Sequence, residues 1–283
     1  MSTTVKNWKE VTPEAEVEVR LALLGDPVEH SLSPVMQNAA LRALEVSASY
    51  EAFRVSREEF PVCVEHLFRC GFLGVNVTSP HKRAAATLGR SHDSATRMIQ
   101  AANVLRFEAW GIASRNTDVP GFLKPISDLS PGKALVLGAG DAGAASAYGL
   151  LRLGWRVRVY NRTGARAQRL AWSLGMWGDI MALSEPDPRG CDLVVNATSL
   201  GREEPPEGSP PLVPLIWENL KPEAVVYDMV YGWDLTAFLK KARSLGHRVI
   251  DGREMLVEQG ALSLEWWLGR PAPREVMRQA VGL

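Results

Sequence analysis

Short apolar runs and longer helix-periodic stretches take turns along the first hundred residues. The pattern predicts strands over 19–24, over 50–55 and in the segment that opens at Gly74, with helices over 34–44 and 58–70. Alternation of this kind predicts a largely parallel sheet covered by helices. Residues 104–107 and 111–114, separated by Glu108, Ala109 and Trp110, predict a hairpin. Pro120 and Pro125 then bracket the start of a connection into a second domain.

The second half repeats the theme more plainly. A buried strand over 133–137, a glycine turn over 138–143, a helix over 144–153 and a strand over 156–160 make a βαβ unit. Further strands are expected at 193–196, 225–228 and 248–250, with a proline-rich loop over 203–214 between the first two. Beyond it, Met255, Leu256, Leu262 and Trp266 recur at helical spacing with Gln259 on the same face. A buried amide left unpaired costs about 1–3 kcal/mol, so Gln259 needs either a backbone partner or a ligand.

Gly-Val-Asn-Val-Thr-Ser-Pro-His-Lys, residues 74–82, ends an apolar strand abruptly in polar residues. Pro80 stops the ladder and is expected to open a helix at its first turn, which sets Lys82 one helical turn from Thr78. Both side chains then sit at a strand's carboxyl end, where open α/β sheets bind ligands. The residues alone leave two readings open, a binding site or an ordinary strand end with a solvated lysine. His81, beside the lysine, has no assigned role and is left open, a solvent-facing position being the simplest reading.

Gly138, Gly140 and Gly143 fit GxGxxG directly after a strand and before a helix. The first glycine permits the tight turn, the second lets backbone approach a pyrophosphate, and the third allows close helix–strand packing. Ala139, Asp141 and Ala142 complete the turn, whose helix-start amides face the anion. Where an NAD site carries an acidic residue at the end of the second strand, this chain has Asn161, then Arg162, Thr163 and, nearby, Arg166. Guanidinium groups suit a 2′-phosphate, so NADP is the expected cofactor, against the alternative of a solvated arginine loop.

Composition narrows the rest. The 283 residues suit two modest domains, and 32 Lys plus Arg balance 32 Asp plus Glu. No net charge favours nucleic acid or an anionic membrane, so a small-molecule partner is expected. Cys63, Cys70 and Cys191 form no CxxC pair and read as reduced packing residues of a cytoplasmic protein. The five histidines show no metal-ligand spacing, so no metal is expected. Residues 1–18 carry neither a signal peptide nor a membrane span and read as a frayed, flexible extension.

Several segments together carry a resemblance. Residues 25–34 (Gly-Asp-Pro-Val-Glu-His-Ser-Leu-Ser-Pro), 74–82, Asn116-Thr117-Asp118, Asn161-Arg162-Thr163, Asn196-Ala197-Thr198-Ser199, Asp228-Met229-Val230-Tyr231 and Met255 to Gly260 all resemble the shikimate dehydrogenase family. The resemblance runs in order from about Leu21 to Trp267. It implies a two-domain α/β fold: an N-terminal α/β substrate domain completed by C-terminal helices (19–117 plus 252–283), and a Rossmann NADP-binding domain between them (118–251), with catalysis in the cleft. It implies that Ser31 and Ser33 hold a substrate carboxylate, that Thr78, Asn103, Asp118 and Gln259 contact ring hydroxyls or the carbonyl region, and that Tyr231 helps close the site. Thr198, Met229 and Gly252 are implied to join the glycine turn in holding NADP.

The activity so implied is NADP-dependent reduction of 3-dehydroshikimate to shikimate, by a monomer or homodimer. Lys82 would give the proton to the carbonyl oxygen, with Asp118 orienting it. The chain departs from the family pattern at Gln37-Asn38, at Gln100 to Val104, at Asp141 and at Gly232-Trp233. These positions bear on substrate preference and turnover. Alternatives are an NAD-using quinate/shikimate dehydrogenase, a folate-type methylene dehydrogenase, in which Ser31, Ser33 and Gln259 lack a role, and a non-catalytic NADP-binding paralogue.

Overall fold

Strands and helices interleave in the N-terminal part of the computed structural model, which describes residues 3–13, 19–91, 93–201 and 212–283. The chain divides into two units, Met1–Asp118 with Leu256–Leu283, and Val119–Met255.

In the first unit β1 (Val5–Lys6), β2 (Val19–Gly25), α1 (Ser33–Ala43), β3 (Ala48–Arg54), α2 (Phe60–Arg69), β4 (Gly74–Val77), α3 (Lys82–Leu88), β5 (Arg90–Ser91), α4 (Ser94–Ile99), β6 (Val104–Glu108) and β7 (Gly111–Arg115) follow one another. They build a seven-stranded sheet in the order β1-β3-β2-β4-β6-β7-β5. β2 is central because both of its faces are covered, and its run from Arg20 to Gly25 is buried throughout. Leu21 stands opposite Tyr50 of β3 and Gly74 of β4, all parallel. The expected hairpin forms, with β6 antiparallel to both β4 and β7. A core of Phe53, Phe60, Leu67, Val75 and Leu105 fills the layer between sheet and helices.

Three expectations need correcting. Described residues of the N-terminal stretch are not frayed: Val5 and Lys6 pair in parallel with Ala52 and Phe53, and Trp8 is buried in the core with its edge toward His66. Apolar burial of an indole outweighs the cost of ordering so short a strand. Residues 1–2 and 14–18 lie outside the described residues. Pro80 does not open a helix, because α3 begins at Lys82 with His81 as its N-cap residue. Thr78 and Lys82 are therefore not one turn apart on a helix. Nor does His81 face solvent. It is buried, stacked on Phe60 at 4.5 Å, with Nε2 2.8 Å from the Val55 carbonyl. Burial pulls its pKa below the ordinary histidine value.

The second unit starts within α5 (Asp118–Leu123), whose first residue belongs to the first unit, and continues through β8 (Lys133–Leu137), α6 (Asp141–Arg152), β9 (Arg156–Tyr160), α7 (Gly164–Leu174), β10 (Ile180–Leu183), β11 (Leu193–Asn196), β12 (Val225–Asp228), α8 (Ala237–Ser244) and β13 (Val249–Ile250). Its sheet is parallel throughout, in the order β10-β9-β8-β11-β12-β13. That is the doubly wound order, whose switch point falls between β8 and β11. Residues 203–211 of the expected proline-rich loop lie outside the described residues.

The chain returns to the first unit through α9 (Gly252–Leu268), within which the division between units falls, and ends in α10 (Arg274–Ala280) packed on α1. Trp267 of α9 donates to the Leu105 carbonyl at 2.9 Å. A Cβ at Gly74 would lie 2.3 Å from that indole nitrogen, so only glycine fits there. No described helix is long and apolar enough to cross a membrane.

Candidate active site and nucleotide site

Strand direction gathers polar side chains at one edge of the first unit's sheet. β2 and β4 run in parallel, so the loop carrying Ser31 and Ser33 and the segment Thr78–Lys82 leave from neighbouring carboxyl ends. β6 runs the other way, which brings Asn103, just before it, to the same edge. β7 reverses again, so Asn116, Thr117 and Asp118 emerge beside Asn103, whose amide donates to the Arg115 carbonyl at 3.2 Å.

At this edge Lys82 Nζ donates to Asp118 Oδ2 at 2.6 Å, with the two side chains 14% and 8% exposed. Asn103 Nδ2 lies 3.0 Å from Asp118 Oδ1, 2.8 Å from Thr117 Oγ1 and 3.2 Å from Gln259 Oε1. Asn103 Oδ1 accepts from the Thr117 amide at 2.7 Å, so the side chain's orientation is fixed at both ends. Gln259 Nε2 in turn donates to the Leu256 carbonyl at 2.8 Å. Of the residues singled out in the sequence, the structure thus joins Lys82, Asp118, Asn103 and Gln259 into one hydrogen-bonded chain, with Thr78 half-buried at the adjoining strand end.

Beneath this chain lies a network the sequence did not reveal. Tyr50 donates to Asn76 Oδ1 at 2.8 Å, and Asn76 Nδ2 donates to the Asn103 carbonyl and to Ser263 Oγ. Ser263 also meets Thr117 Oγ1 at 3.1 Å and donates to the Gln259 carbonyl at 2.9 Å. A polar Asn76 between two buried valines, and a serine one turn beyond Gln259, were the available signals.

Ser31 and Ser33 meet at the start of α1, where the Ser33 amide donates to Ser31 Oγ at 3.2 Å. Thr3 clamps the loop by donating to the Ser31 carbonyl at 2.6 Å. Two hydroxyls at a helix amino end suit a carboxylate.

In the second unit, Gly138 adopts φ +112° and donates its amide to the Tyr160 carbonyl at 2.7 Å. A Cβ on Gly143 would sit 2.1 Å from the Gly138 carbonyl oxygen, whereas one on Gly140 would meet nothing within 4 Å. The space over Gly140 is open, at a helix start with no side-chain cap. Ala139, Asp141 and Ala142 supply the remaining backbone of the turn. Asn161 is a brace: Oδ1 accepts from the Ala139 amide at 3.2 Å and Nδ2 donates to the Thr163 carbonyl at 3.0 Å. Arg162, Thr163 and Arg166 stand exposed just beyond it. Thr198 donates to Asn196 Oδ1 at 2.7 Å, and Met229 Sδ accepts from Ser146 at 3.2 Å. Gly252 opens α9, and a Cβ there would lie 2.7 Å from the Val230 carbonyl oxygen. Tyr231, half-buried, follows in the same loop.

Comparison with known proteins agrees with both halves. Residues 23–105 match the family model of the shikimate dehydrogenase substrate binding domain, and residues 252–281 match that of the shikimate 5′-dehydrogenase C-terminal domain. The chain is 39% identical over 271 residues to a shikimate dehydrogenase (NADP(+)) of Syntrophobacter fumaroxidans, covering 92% of each protein. It belongs to the shikimate dehydrogenase family. A shikimate dehydrogenase (NADP(+)) of Methanopyrus kandleri is 38% identical over 288 residues, covering 96% of this chain and 97% of its own. Among solved members of the family, shikimate 5-dehydrogenase of Thermus thermophilus in complex with NADP(H) and shikimate superposes with a TM-score of 0.84 at 38% identity, covering 93% of this chain and 98% of that one. The mixed seven-stranded sheet and the parallel six-stranded sheet are this family's two-domain α/β fold.

Proposed function

We propose that this shikimate dehydrogenase interconverts 3-dehydroshikimate and shikimate with NADP, and that Lys82 and Asp118 are its proton-handling pair. The observation that carries the reading is the 2.6 Å contact between Lys82 Nζ and Asp118 Oδ2 within a shielded polar cluster. A solvated lysine at a strand end would have no such partner.

Reducing a ketone requires a hydride on carbon and a proton on oxygen. NADPH, when bound, supplies the hydride. Lys82 gives the proton to the carbonyl oxygen in reduction and takes it from the hydroxyl in oxidation. Asp118 holds the ammonium in place, and Asn103 keeps the Asp118 carboxylate from turning away. Ser31 and Ser33 bind the substrate carboxylate, Thr78, Asn103 and Gln259 bind ring hydroxyls, and Tyr231 is a further substrate-binding residue.

Gly140 leaves room for the cofactor's pyrophosphate, Gly138 and Gly143 allow the tight turn and the close packing that present it, and Arg162, Thr163 and Arg166 hold its 2′-phosphate. The three cysteines are buried and unpaired, and burial pushes the Cys63 and Cys191 thiols up to about 12 and about 11. Buried reduced thiols fit a cytoplasmic enzyme; its state is a monomer or homodimer.

An absorbance assay at the nicotinamide band tests the reading, with shikimate or quinate each offered NADP or NAD. Turnover fastest with shikimate and NADP is expected. Turnover favouring quinate with NAD overturns the substrate and cofactor assignment, and no turnover in any combination overturns the enzyme itself.

A further inference from the structure

The last residues of β11 and β12, Asn196 and Asp228, stand directly opposite each other in a parallel pair, and neither is exposed. Asn196 Nδ2 donates to Asp228 Oδ1 at 2.8 Å. Each then grips the loop that leaves its own strand. Asn196 Oδ1 accepts from the Thr198 amide at 3.1 Å and from the Thr198 hydroxyl at 2.7 Å, while its Nδ2 also reaches the Leu200 carbonyl at 3.1 Å. Asp228 Oδ1 accepts from the Val230 amide at 2.9 Å, and its Oδ2 accepts from the Thr236 hydroxyl at 2.7 Å. The Met229 amide closes the set on the Asn196 carbonyl at 2.9 Å.

A carboxylate carried into a sheet's core needs a reason, because burying it costs more than an apolar residue of similar size would. The strand order supplies one. The glycine turn after β8 is the place for the pyrophosphate, and the arginines after β9 lie on one side of it. At a switch point the second nucleotide half lies over the strands on the other side, here the ends of β11 and β12. These are the loops that Asn196 and Asp228 hold, with the backbone at Val230 and Asp228 pressed so close to Gly252 that a Cβ there would lie within 2.8 Å of both carbonyl oxygens.

We propose that the buried Asn196–Asp228 pair is a positioning device that sets the loops of Thr198 and Met229 to receive the nicotinamide half of NADP. It rests on the cofactor reading above. Neither side chain touches the cofactor. Together they give two separate loops one shared arrangement, so that binding does not have to order them. Losing the pair adds that ordering to the cost of binding the nicotinamide half and leaves the adenosine half, held after β8 and β9, as it was.

The test compares two ligands on the full-length protein by titration calorimetry: NADP+, and 2′,5′-ADP, which lacks the nicotinamide half. The variants are Asp228→Asn, which keeps the side chain's shape, and Asn196→Ser. The expected result is a Kd for NADP+ raised about tenfold in both variants, the effect of one lost charge-assisted contact, with the Kd for 2′,5′-ADP changed less than about twofold. Retained 2′,5′-ADP binding also shows that the variant is folded. Unchanged NADP+ affinity, or an equal loss for both ligands, overturns the positioning role. Failure of the wild-type protein to bind either ligand overturns the cofactor reading, and the proposal with it.

Discussion

Asn103 Nδ2 lies 3.0 Å from Asp118 Oδ1 while Lys82 holds the other carboxylate oxygen, so Asp118 is gripped from two sides. Replacing Asn103 with alanine frees one side and leaves the buried Thr117 amide without its acceptor. Asn103→Ala is expected to lower stability by about 1–3 kcal/mol, measured by urea unfolding, and to lower kcat/KM for shikimate. Wild-type stability would mean that the orientation of Asp118 does not depend on Asn103.

Two glycines of the same turn should fail in opposite ways. Gly143→Ala drives a methyl into the Gly138 carbonyl and is expected to lower Tm, because backbone must move to admit it. Gly140→Val meets no protein atom within 4 Å of its Cβ, at a φ of −90° that any residue adopts. It is expected to keep Tm close to that of the wild type while losing NADP+ binding in calorimetry, since the side chain takes the space of the pyrophosphate.

Arg162 and Arg166 are exposed beside the glycine turn. The double substitution to alanine is expected to raise KM for NADP by roughly 10- to 100-fold, the worth of charge-assisted bonds to a phosphate, and to leave KM for NAD unchanged. Equal effects on both cofactors would place the arginines elsewhere in the mechanism.

Burial pushes the Asp228 carboxyl up to about 6, opposed by bonds from Thr236, Val230 and Asn196 and assisted by the nearby Asp251 charge. Its folded pKa therefore lies above its unfolded value of about 3.9, so the folded state binds the extra proton between these two pH values. Stability from this group is present below about pH 4 and is lost as pH rises to about 6, a total of about 3 kcal/mol. Denaturant unfolding at intervals from pH 4 to 7 is expected to show this downward contribution in the wild type, and Asp228→Asn is expected to lack it.

The parallel core was legible because β8, β11 and β12 are mostly apolar on both faces and β9 alternates arginine with buried valine. The spans 133–137, 156–160, 193–196 and 225–228 read from sequence coincide with β8, β9, β11 and β12. Most edge and short elements were not, β13 at Val249–Ile250 being the exception. β1 and β5 have two residues each and carry no period, and β10 is a partly exposed edge strand. The glycine motif and Lys82 were visible because backbone-constrained and charged residues stand out against apolar neighbours. The network of Tyr50, Asn76 and Ser263 was invisible because its partners, up to 187 residues apart, meet only in the fold. Pro80 misled for a related reason: a proline can open a helix, but here His81 is drawn onto Phe60 and the helix waits for Lys82.

The central claim is that Lys82 moves the proton. Its most direct test is steady-state turnover of Lys82→Met with shikimate and NADP, alongside shikimate affinity measured by calorimetry. A positioned acid contributes to the transition state more than to binding, so kcat is expected to fall by roughly a hundredfold to ten-thousandfold while the shikimate Kd changes far less. Turnover close to that of the wild type would contradict the assignment.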